Sequence, residues 1–227
     1  MKPKINHPWA LTELEAQKLQ QELAAKVIKE DQFDEIKLIA GVDVAYSSGS
    51  EQLMAAVVIL EASTLEPIET ATAKAHAQHP YIPGLFSFRE LPPLINALEK
   101  LCHTPDLIFC DGQGYAHPRR FGLACHLGVL FDVPTIGCSK SRLIGEYPQP
   151  DIPRGARAPL VDTTTGEVIG SALRTQSGIK PIFVSIGHRI SLMSACEWTL
   201  QLSPKYRLPE TIRQADHAVR TALKESF

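Results

Sequence analysis

The segment from Leu107 to Cys138 restricts the possible folds of this chain more than any other. Two short apolar runs, 107–110 and 133–138, enclose residues with helical spacing at about 119–131. Short apolar runs are typical of buried strands, and this strand–helix–strand order predicts a parallel βαβ unit. Asp111 follows the first run and Lys140 follows the second. Both side chains are therefore expected at one edge of a sheet, where open α/β proteins bind ligands.

The residues directly after the first run suggest a binding site. Gly112 and Gly114 allow a sharp turn and a close approach to a ligand, and His117-Pro118-Arg119-Arg120 follows. A carboxylate, a glycine turn, an imidazole and guanidinium groups together suit a site for a charged ligand. An Asp-Gly turn followed by a solvated, basic helix start explains the same residues equally well.

Length and composition predict one globular domain that spans residues 1–227. Hydrophobic residues make up 44% and charged residues 21% of the 227 positions. No apolar run reaches the length of a membrane span, and the N-terminus lacks the apolar core of a signal peptide. We therefore expect a cytoplasmic protein with no membrane partner. The five cysteines, at 102, 110, 125, 138 and 196, are predicted to be reduced and buried.

The charges are unevenly distributed along the chain. The formal net charge of −2 argues against a nonspecific nucleic-acid coat. Residues 112–190, however, carry nine Lys and Arg against five Asp and Glu. This local excess suits a phosphate backbone bound at one place. Ordinary drift of surface charge along a chain remains an alternative explanation.

Asp43 lies in the first predicted strand, 36–46, which is apolar on both faces. Such a strand is central in its sheet. An ionised, unpaired carboxylate is costly there, so Asp43 needs a metal, a cation or a proton. Two further strands, 53–60 and 68–75, follow after short turns and predict an antiparallel meander.

The connection Pro80-Tyr81-Ile82-Pro83-Gly84 and the helix after it raise two questions. The prolines are expected to hold Tyr81 and Ile82 forward as a stiff apolar tip, although such residues more often cap the edge of a core. Ser87 and Glu90 match a capping box, which from the residues alone is the favoured explanation of Glu90. Prolines at 92 and 93 belong near a helix start, which leaves open a helix that begins after Glu90.

The remaining elements are predicted from periodicity. A first helix begins at Thr12, with Glu15 completing a capping box, and extends to about Glu30. A hairpin (160–162 and 168–174), a strand (182–186) and two helices (192–202 and 209–223) follow. In the last helix Asp216 lies beside the apolar stripe and His217 points away from it. The alternative role for Asp216 is an ion pair with Arg213 or Arg220.

Four carboxylates are thus expected near one place on the sheet: Asp43, Glu90, Asp111 and Asp216. Like charges repel at that density, and oxygen-ligated cations such as Mg²⁺ relieve the repulsion. Two such ions ~3.5–4 Å apart could activate water and stabilise a leaving oxygen, with His117 and Lys140 contacting phosphate or placing the water.

In order and spacing, four groups of residues resemble the endonuclease V (deoxyinosine 3′-endonuclease) family. The matching segments are 40–44 (Ala-Gly-Val-Asp-Val), 80–84 with Phe88-Arg89-Glu90, 111–114 (Asp-Gly-Gln-Gly) with 117–120, and 137–140 (Gly-Cys-Ser-Lys). The resemblance implies an α/β, ribonuclease H-like mixed sheet flanked by helices. It also implies Mg²⁺-dependent cleavage, with Mn²⁺ as a substitute, of the second phosphodiester bond 3′ to deoxyinosine, leaving a 3′-hydroxyl and a 5′-phosphate.

The resemblance further assigns roles to residues of this chain. Catalytic residues would be Asp43, Glu90, Asp111, His117 and Lys140; metal ligands Asp43, Glu90, Asp111 and, less firmly placed, Asp216; phosphate contacts His117, Arg119 and Lys140. The wedge that replaces a rotated base would be Pro80, Tyr81, Ile82 and Pro83. The base pocket would contain Gly84, Leu85, Gly112, Gly122 and Leu143.

Several partners and activities stay open at this stage. DNA containing deoxyinosine is the expected substrate, with inosine-containing RNA or branched junctions as alternatives within the same fold, and a monomer is expected. A nucleic-acid-binding module without catalysis belongs to a different class. It explains Asp43 poorly, because a carboxylate in a strand that is apolar on both faces is hard to justify by structure alone.

Overall fold

A computed structural model of the protein describes residues 1–47, 51–77, 80 and 82–226. The helices are α1 (Glu13–Ala24), α2 (Phe86–Leu98), α3 (Leu123–Phe131), α4 (Leu192–Gln201) and α5 (Glu210–Glu225). The strands are β1 (Leu38–Tyr46), β2 (Gln52–Glu61), β3 (Pro67–His76), β4 (Leu107–Asp111), β5 (Thr135–Ser139), β6 (Arg157–Val161), β7 (Val168–Leu173) and β8 (Ile182–His188).

These eight strands form one mixed sheet in the order β3-β2-β1-β4-β5-β8-β7-β6. The first three strands are the predicted antiparallel meander. Strands β1, β4 and β5 are parallel, and α3 connects β4 to β5 as predicted. Strands β8, β7 and β6 continue the sheet in antiparallel fashion. The predicted ribonuclease H-like mixed sheet flanked by helices is confirmed.

Helices cover both faces of the sheet, so β1 is buried on both sides. Ala40 and Val42 of β1 lie in one core cluster with residues of α2 and α3. Ile39 lies in another cluster on the opposite face, together with Ile212 of α5. At Gly41 a Cβ atom would lie 2.0 Å from the carbonyl oxygen of Thr211. Only glycine therefore allows α5 to pack this closely over β1.

Two helices are shorter than predicted. Helix α1 has the predicted Thr12–Glu15 capping box but ends at Ala24, because Ile28 exchanges hydrogen bonds with His188 and Arg189. These tertiary bonds replace the helical ones that periodicity alone suggested. Helix α3 begins at Leu123 rather than near 119, because residues 115–122 form turns that include Arg120 at a φ of 55°.

Helix α2 contradicts both predictions about its start. It begins at Phe86, and both prolines, 92 and 93, lie inside it. The favoured capping box is wrong because Ser87 is already helical. The Ser87 hydroxyl contacts His126, and Glu90 accepts a hydrogen bond from Tyr46. Glu90 is therefore free of any capping role.

Two predictions from composition have mixed outcomes. Four cysteines are buried, but Cys102 is exposed in the loop after α2, and all five are unpaired thiols. The short apolar run that suggested burial ends at Leu101, so Cys102 lies beyond the core edge. Within the described ranges, every helix is too short or too polar to cross a membrane.

Candidate functional site

Asp43 and Asp111 lie side by side at the ends of two parallel strands. The register of β1 and β4 pairs Val42 with Cys110, so the next residues along each strand are these two aspartates. Neighbouring strands are about 4.8 Å apart, and paired residues of parallel strands face the same side of the sheet. The fold thus brings together two carboxylates that are 68 positions apart in the chain.

Burial and neighbouring charge both disfavour the ionised form of Asp43. Burial is the larger cause and the charge of Asp111 the next; together they raise the pKa of Asp43 to about 7. The charge of Asp216 adds to the effect. A hydrogen bond from the Val44 N–H (2.8 Å) and the charge of Lys140 oppose it without reversing it. A carboxyl group in this state suits a site completed by a cation.

Glu90 reaches the same strand ends from the opposite face of the sheet. Its carboxylate is buried and accepts a hydrogen bond from the Tyr46 hydroxyl (2.8 Å). Burial raises its pKa well above the usual value, and the charges of Asp43 and Asp111 raise it further. The electrostatic coupling indicates that Glu90 belongs to the same group of acids.

Asp216 and Lys140 complete this edge. Asp216 raises the pKa of Asp43, as expected for its inward position, whereas His217 is exposed. Asp216 also forms the ion pair that was its alternative role, because Arg220 Nε lies 2.9 Å from Asp216 Oδ1. Lys140 Nζ lies 3.1 Å from Asp111 Oδ2, as the βαβ geometry predicted. Burial alone would lower the pKa of Lys140, but the charge of Asp111 and their hydrogen bond outweigh it and raise that pKa.

The donor set at this edge fits a hard divalent cation. In the part of the chain that the structure describes, no group of three His, Cys, Asp or Glu side chains is arranged to hold a metal. Mg²⁺ commonly needs only one or two protein carboxylates, because water and substrate phosphates fill the other positions. The adjacent pair Asp43 and Asp111 meets that requirement, and burial together with the charge of Asp111 raises the pKa of Asp43 despite the opposing charge of Lys140.

A cavity of about 310 Å³ opens beside the acids. Asp111 belongs to both, so the cavity and the carboxylate pair form one site. The lining includes four of the five residues assigned to the base pocket, namely Gly84, Gly112, Gly122 and Leu143. The fifth, Leu85, lies behind the wall, because its side chain is fully buried against Ala16 and Phe88.

The carbonyl oxygen of Gly84 holds one wall of the cavity. It accepts hydrogen bonds from Gln20 Nε2 (3.0 Å), His117 Nε2 (3.0 Å) and Arg119 Nη2 (2.8 Å). His117 Nδ1 accepts from the Arg119 N–H (3.2 Å), so the imidazole is neutral, with its proton on Nε2. Burial and the charge of Arg119 lower the pKa of His117 to about 4.

These bonds determine what the three predicted phosphate contacts do in this structure. His117 and Arg119 bind the Gly84 carbonyl and so stabilise the cavity wall. Lys140 differs from these two residues, because its ammonium group pairs with Asp111, one of the acids of the site. Of these three residues, Lys140 therefore supplies the positive charge at Asp111, and the neutral His117 does not.

The predicted wedge is described only in part. Pro80 and Pro83 are exposed. Ile82 is half-buried and packs against the cluster of Ala16, Leu85 and Phe88. This side chain caps the edge of a core, as the alternative proposed. Tyr81 lies outside the described residues.

Sequence reasoning missed two residues of the site. Gln20 lies in α1, where only packing was recognised. It is buried, lines the cavity and binds the carbonyl oxygens of Gly84 and Phe121. A glutamine on the apolar stripe of α1 was the available signal. Tyr46, the partner of Glu90, carried no local signal, because the pairing depends on how α2 packs against β1.

Comparisons with known proteins agree with this geometry. Residues 21–217 match the model of the family described as Endonuclease V. An endonuclease V from Streptomyces avermitilis is 50% identical over 220 residues, which cover 96% of this chain and 95% of the relative. A crystal structure of endonuclease V from the same organism superposes with a TM-score of 0.92 at 48% identity, over 100% of this chain and 99% of that one.

A more distant solved structure contains nucleic acid. It is endonuclease V from Ciona intestinalis in complex with a 24mer DNA containing an inosine followed by a ribo-adenosine. It superposes with a TM-score of 0.83 at 30% identity, over 94% of this chain and 98% of that one. The family match and the close relatives cover nearly the whole chain, including the acids and the cavity. The chain therefore belongs to the endonuclease V family of nucleases.

Proposed function

We propose that this protein is a metal-dependent DNA repair endonuclease that recognises deoxyinosine and hydrolyses the second phosphodiester bond 3′ to it. The products would carry a 3′-hydroxyl and a 5′-phosphate. The observation that carries the proposal is the shared position of Asp111, which belongs to the carboxylate pair and also lines the cavity. A base held in the cavity leaves its own strand running past the acids.

The acids supply the hydrolytic part of the site. Asp43 and Asp111, with Glu90 and Asp216 beside them, would hold Mg²⁺ or, in its place, Mn²⁺, which when bound activates water and stabilises the leaving oxygen. Lys140 keeps a positive charge at Asp111 and is within reach of a phosphate at the same edge. Tyr46 fixes the carboxyl group of Glu90 through its hydroxyl.

The cavity supplies recognition. Enzymes that read a damaged base commonly rotate it out of the stack into a pocket and contact its Watson–Crick edge. Gly84, Gly112, Gly122 and Leu143 would form that pocket. His117 and Arg119 would support it, and residues 80–83 would occupy the space that the base leaves in the duplex. An excess of basic residues in 112–190 suits the phosphate backbone on either side.

A second substrate is supported by one specific observation. The DNA bound to the Ciona intestinalis relative carries a ribo-adenosine after the inosine. A ribonucleotide beside the lesion is thus accommodated in that protein. Cleavage of inosine-containing RNA is therefore the alternative for this chain.

Cleavage-site mapping on matched substrates tests the proposal. A labelled DNA duplex with one deoxyinosine, the same duplex with adenine, and an RNA of the same sequence with one inosine would be incubated with Mg²⁺ and, separately, with chelator. We expect one cut, at the second bond 3′ to deoxyinosine, only when Mg²⁺ is present. An intact inosine duplex, equal cutting of the adenine duplex, or cutting in chelator would each refute the proposal. Faster cutting of the RNA would favour the alternative.

A further inference from the structure

A series of hydrogen bonds runs from the exposed N-terminal segment, through the buried side chain of His126, to the cavity wall. His7 Nδ1 lies 2.8 Å from the Pro8 carbonyl oxygen, and His7 Nε2 lies 2.7 Å from His126 Nε2. His126 Nδ1 in turn lies 2.9 Å from the Ser87 hydroxyl. His126 is fully buried in α3, among the rings of Trp9, Phe88 and Phe121. Ser87, in the first turn of α2, is one of the residues that line the cavity.

The Pro8 carbonyl oxygen is the first acceptor in this series of hydrogen bonds, and it fixes the direction of each of the others. A carbonyl oxygen only accepts, so His7 Nδ1 carries a proton and donates to Pro8. A neutral imidazole has one N–H group, so His7 Nε2 accepts from the Nε2–H of His126. His126 Nδ1 is then an acceptor as well, and the Ser87 hydroxyl donates its single proton to it. Burial lowers the pKa of both histidines, which keeps the two rings neutral at neutral pH.

Ser87 lines the cavity, and its oxygen, whose proton is donated to His126, has only lone pairs left to offer. We infer that Ser87 is a specificity-determining residue that accepts a hydrogen bond from a ring N–H on the Watson–Crick edge of the bound base. Hypoxanthine has such an N–H at ring position 1, where adenine has a bare lone pair. The oxygen therefore attracts the first base and repels the second. This inference rests on the proposed function.

The two histidines give the serine a selectivity that it would lack alone. A hydroxyl with no partner can rotate to donate or to accept, and it then tolerates either base. His126 removes that freedom, and His7 fixes the tautomer of His126. The N-terminal segment that carries His7 is itself anchored, because the Met1 ammonium binds the Leu98 carbonyl oxygen (3.1 Å) and the Lys4 N–H binds that of Leu130 (2.7 Å).

The test combines a change in the protein with a change in the base. Cleavage efficiency, as kcat/KM, would be measured on duplexes with deoxyinosine or 1-methyldeoxyinosine, which keeps the 6-oxo group but has no N–H at position 1. The proteins would be the wild type, Ser87→Ala, and Ser87→Thr, which keeps the hydroxyl. Ser171→Ala is the matched control, because it also truncates a buried serine, one that bonds the Ala158 carbonyl between β6 and β7.

The expected result is a coupling between the hydroxyl and the N–H. The preference of the wild type for deoxyinosine should fall about tenfold in Ser87→Ala, the effect of one lost hydrogen bond. Ser87→Thr and Ser171→Ala should keep the wild-type preference. An unchanged preference in Ser87→Ala, with deoxyinosine still preferred, would overturn the inference and leave the proposed function standing. A wild type that cuts neither duplex would refute the proposed function and the inference with it.

Discussion

Asp43 and Asp132 are both carboxylates in charged surroundings, yet the two environments act on them in opposite directions. Asp132, in left-handed conformation at the end of α3, accepts hydrogen bonds from Lys4 (2.8 Å) and Arg189 (3.0 Å). The bond from Lys4 is the main cause that lowers its pKa to about 2. Burial and the neighbouring Asp111 instead raise the pKa of Asp43 to about 7.

The difference distinguishes Asp132, a carboxylate that stabilises the fold, from Asp43, a carboxylate whose position suits catalysis. Cations brought in by distant segments neutralise Asp132, which connects the N-terminus to the loop after β8. At the strand ends, acid is placed beside acid, and the repulsion is incompletely relieved. Such an arrangement costs stability, so its presence indicates a role outside the fold. Three predictions test this comparison, from the largest expected effect to the smallest.

Removal of either strand-end aspartate should abolish cleavage while binding persists. Asp43→Ala and Asp111→Asn each remove a charge expected to supply several kcal/mol of transition-state stabilisation, so the rate should fall by a factor on the order of 10³ or more. Single-turnover cleavage of the deoxyinosine duplex measures the rate, and fluorescence anisotropy measures binding. Asp132→Asn is the matched control and should cut at the wild-type rate. Residual cleavage within tenfold of wild type in Asp43→Ala would remove that residue from the catalytic site.

The stability of the metal-free protein should respond to pH through Asp43. Because the folded-state pKa is raised, the folded protein keeps a proton that the unfolded chain releases between about pH 4 and about pH 7. The free energy of unfolding therefore falls as pH rises through this window, by about 4 kcal/mol from this group. His117, whose pKa is lowered, contributes the opposite slope.

The contribution of Asp43 is isolated as a difference between two proteins. Urea unfolding in chelator, at intervals from pH 4.5 to 7.5, would be compared for wild type and Asp43→Asn. The substituted protein should gain stability relative to wild type as pH rises, since it carries no charge to bury. A constant difference across the range would mean that the carboxyl group is ionised in the folded protein throughout.

For Asp132, the effect of pH on the free energy of unfolding should be small and of opposite sign. Its stabilising contribution is complete above about pH 4 and is lost as pH falls toward the folded-state pKa of about 2. Asp132 is solvent-accessible, so screening limits the contribution to about 1 kcal/mol. Asp132→Asn should lower the free energy of unfolding by that amount at pH 7 in urea titrations. An increase in stability would contradict the comparison.

The sequence predicted those parts of the fold that depend on residues close to one another along the chain. The βαβ unit follows from two apolar runs and the helix between them, and the approach of Lys140 to Asp111 follows from its geometry. The central position of β1 follows from apolar residues on both of its faces. The Thr12–Glu15 cap depends on residues three positions apart and is present.

The predictions were wrong where a contact with a residue distant along the chain determines the local structure. Ser87 and Glu90 have cap spacing, but their partners, His126 and Tyr46, are 39 and 44 positions away. The end of α1 depends on bonds to the segment after β8, and the role of Gln20 depends on Gly84, 64 positions on. Periodicity and spacing carry no information about such contacts.

The three hydrogen bonds that converge on the Gly84 carbonyl oxygen have a consequence for how the cavity opens. A carbonyl oxygen has two lone pairs, so three donors saturate it and leave nothing for a ligand. The donors come from α1 and from the turn before α3, and displacement of Gly84 would break all three bonds together. The wall at Gly84 is therefore expected to move as one unit with its three donors, whereas Leu143, which also lines the cavity, has an exposed side chain.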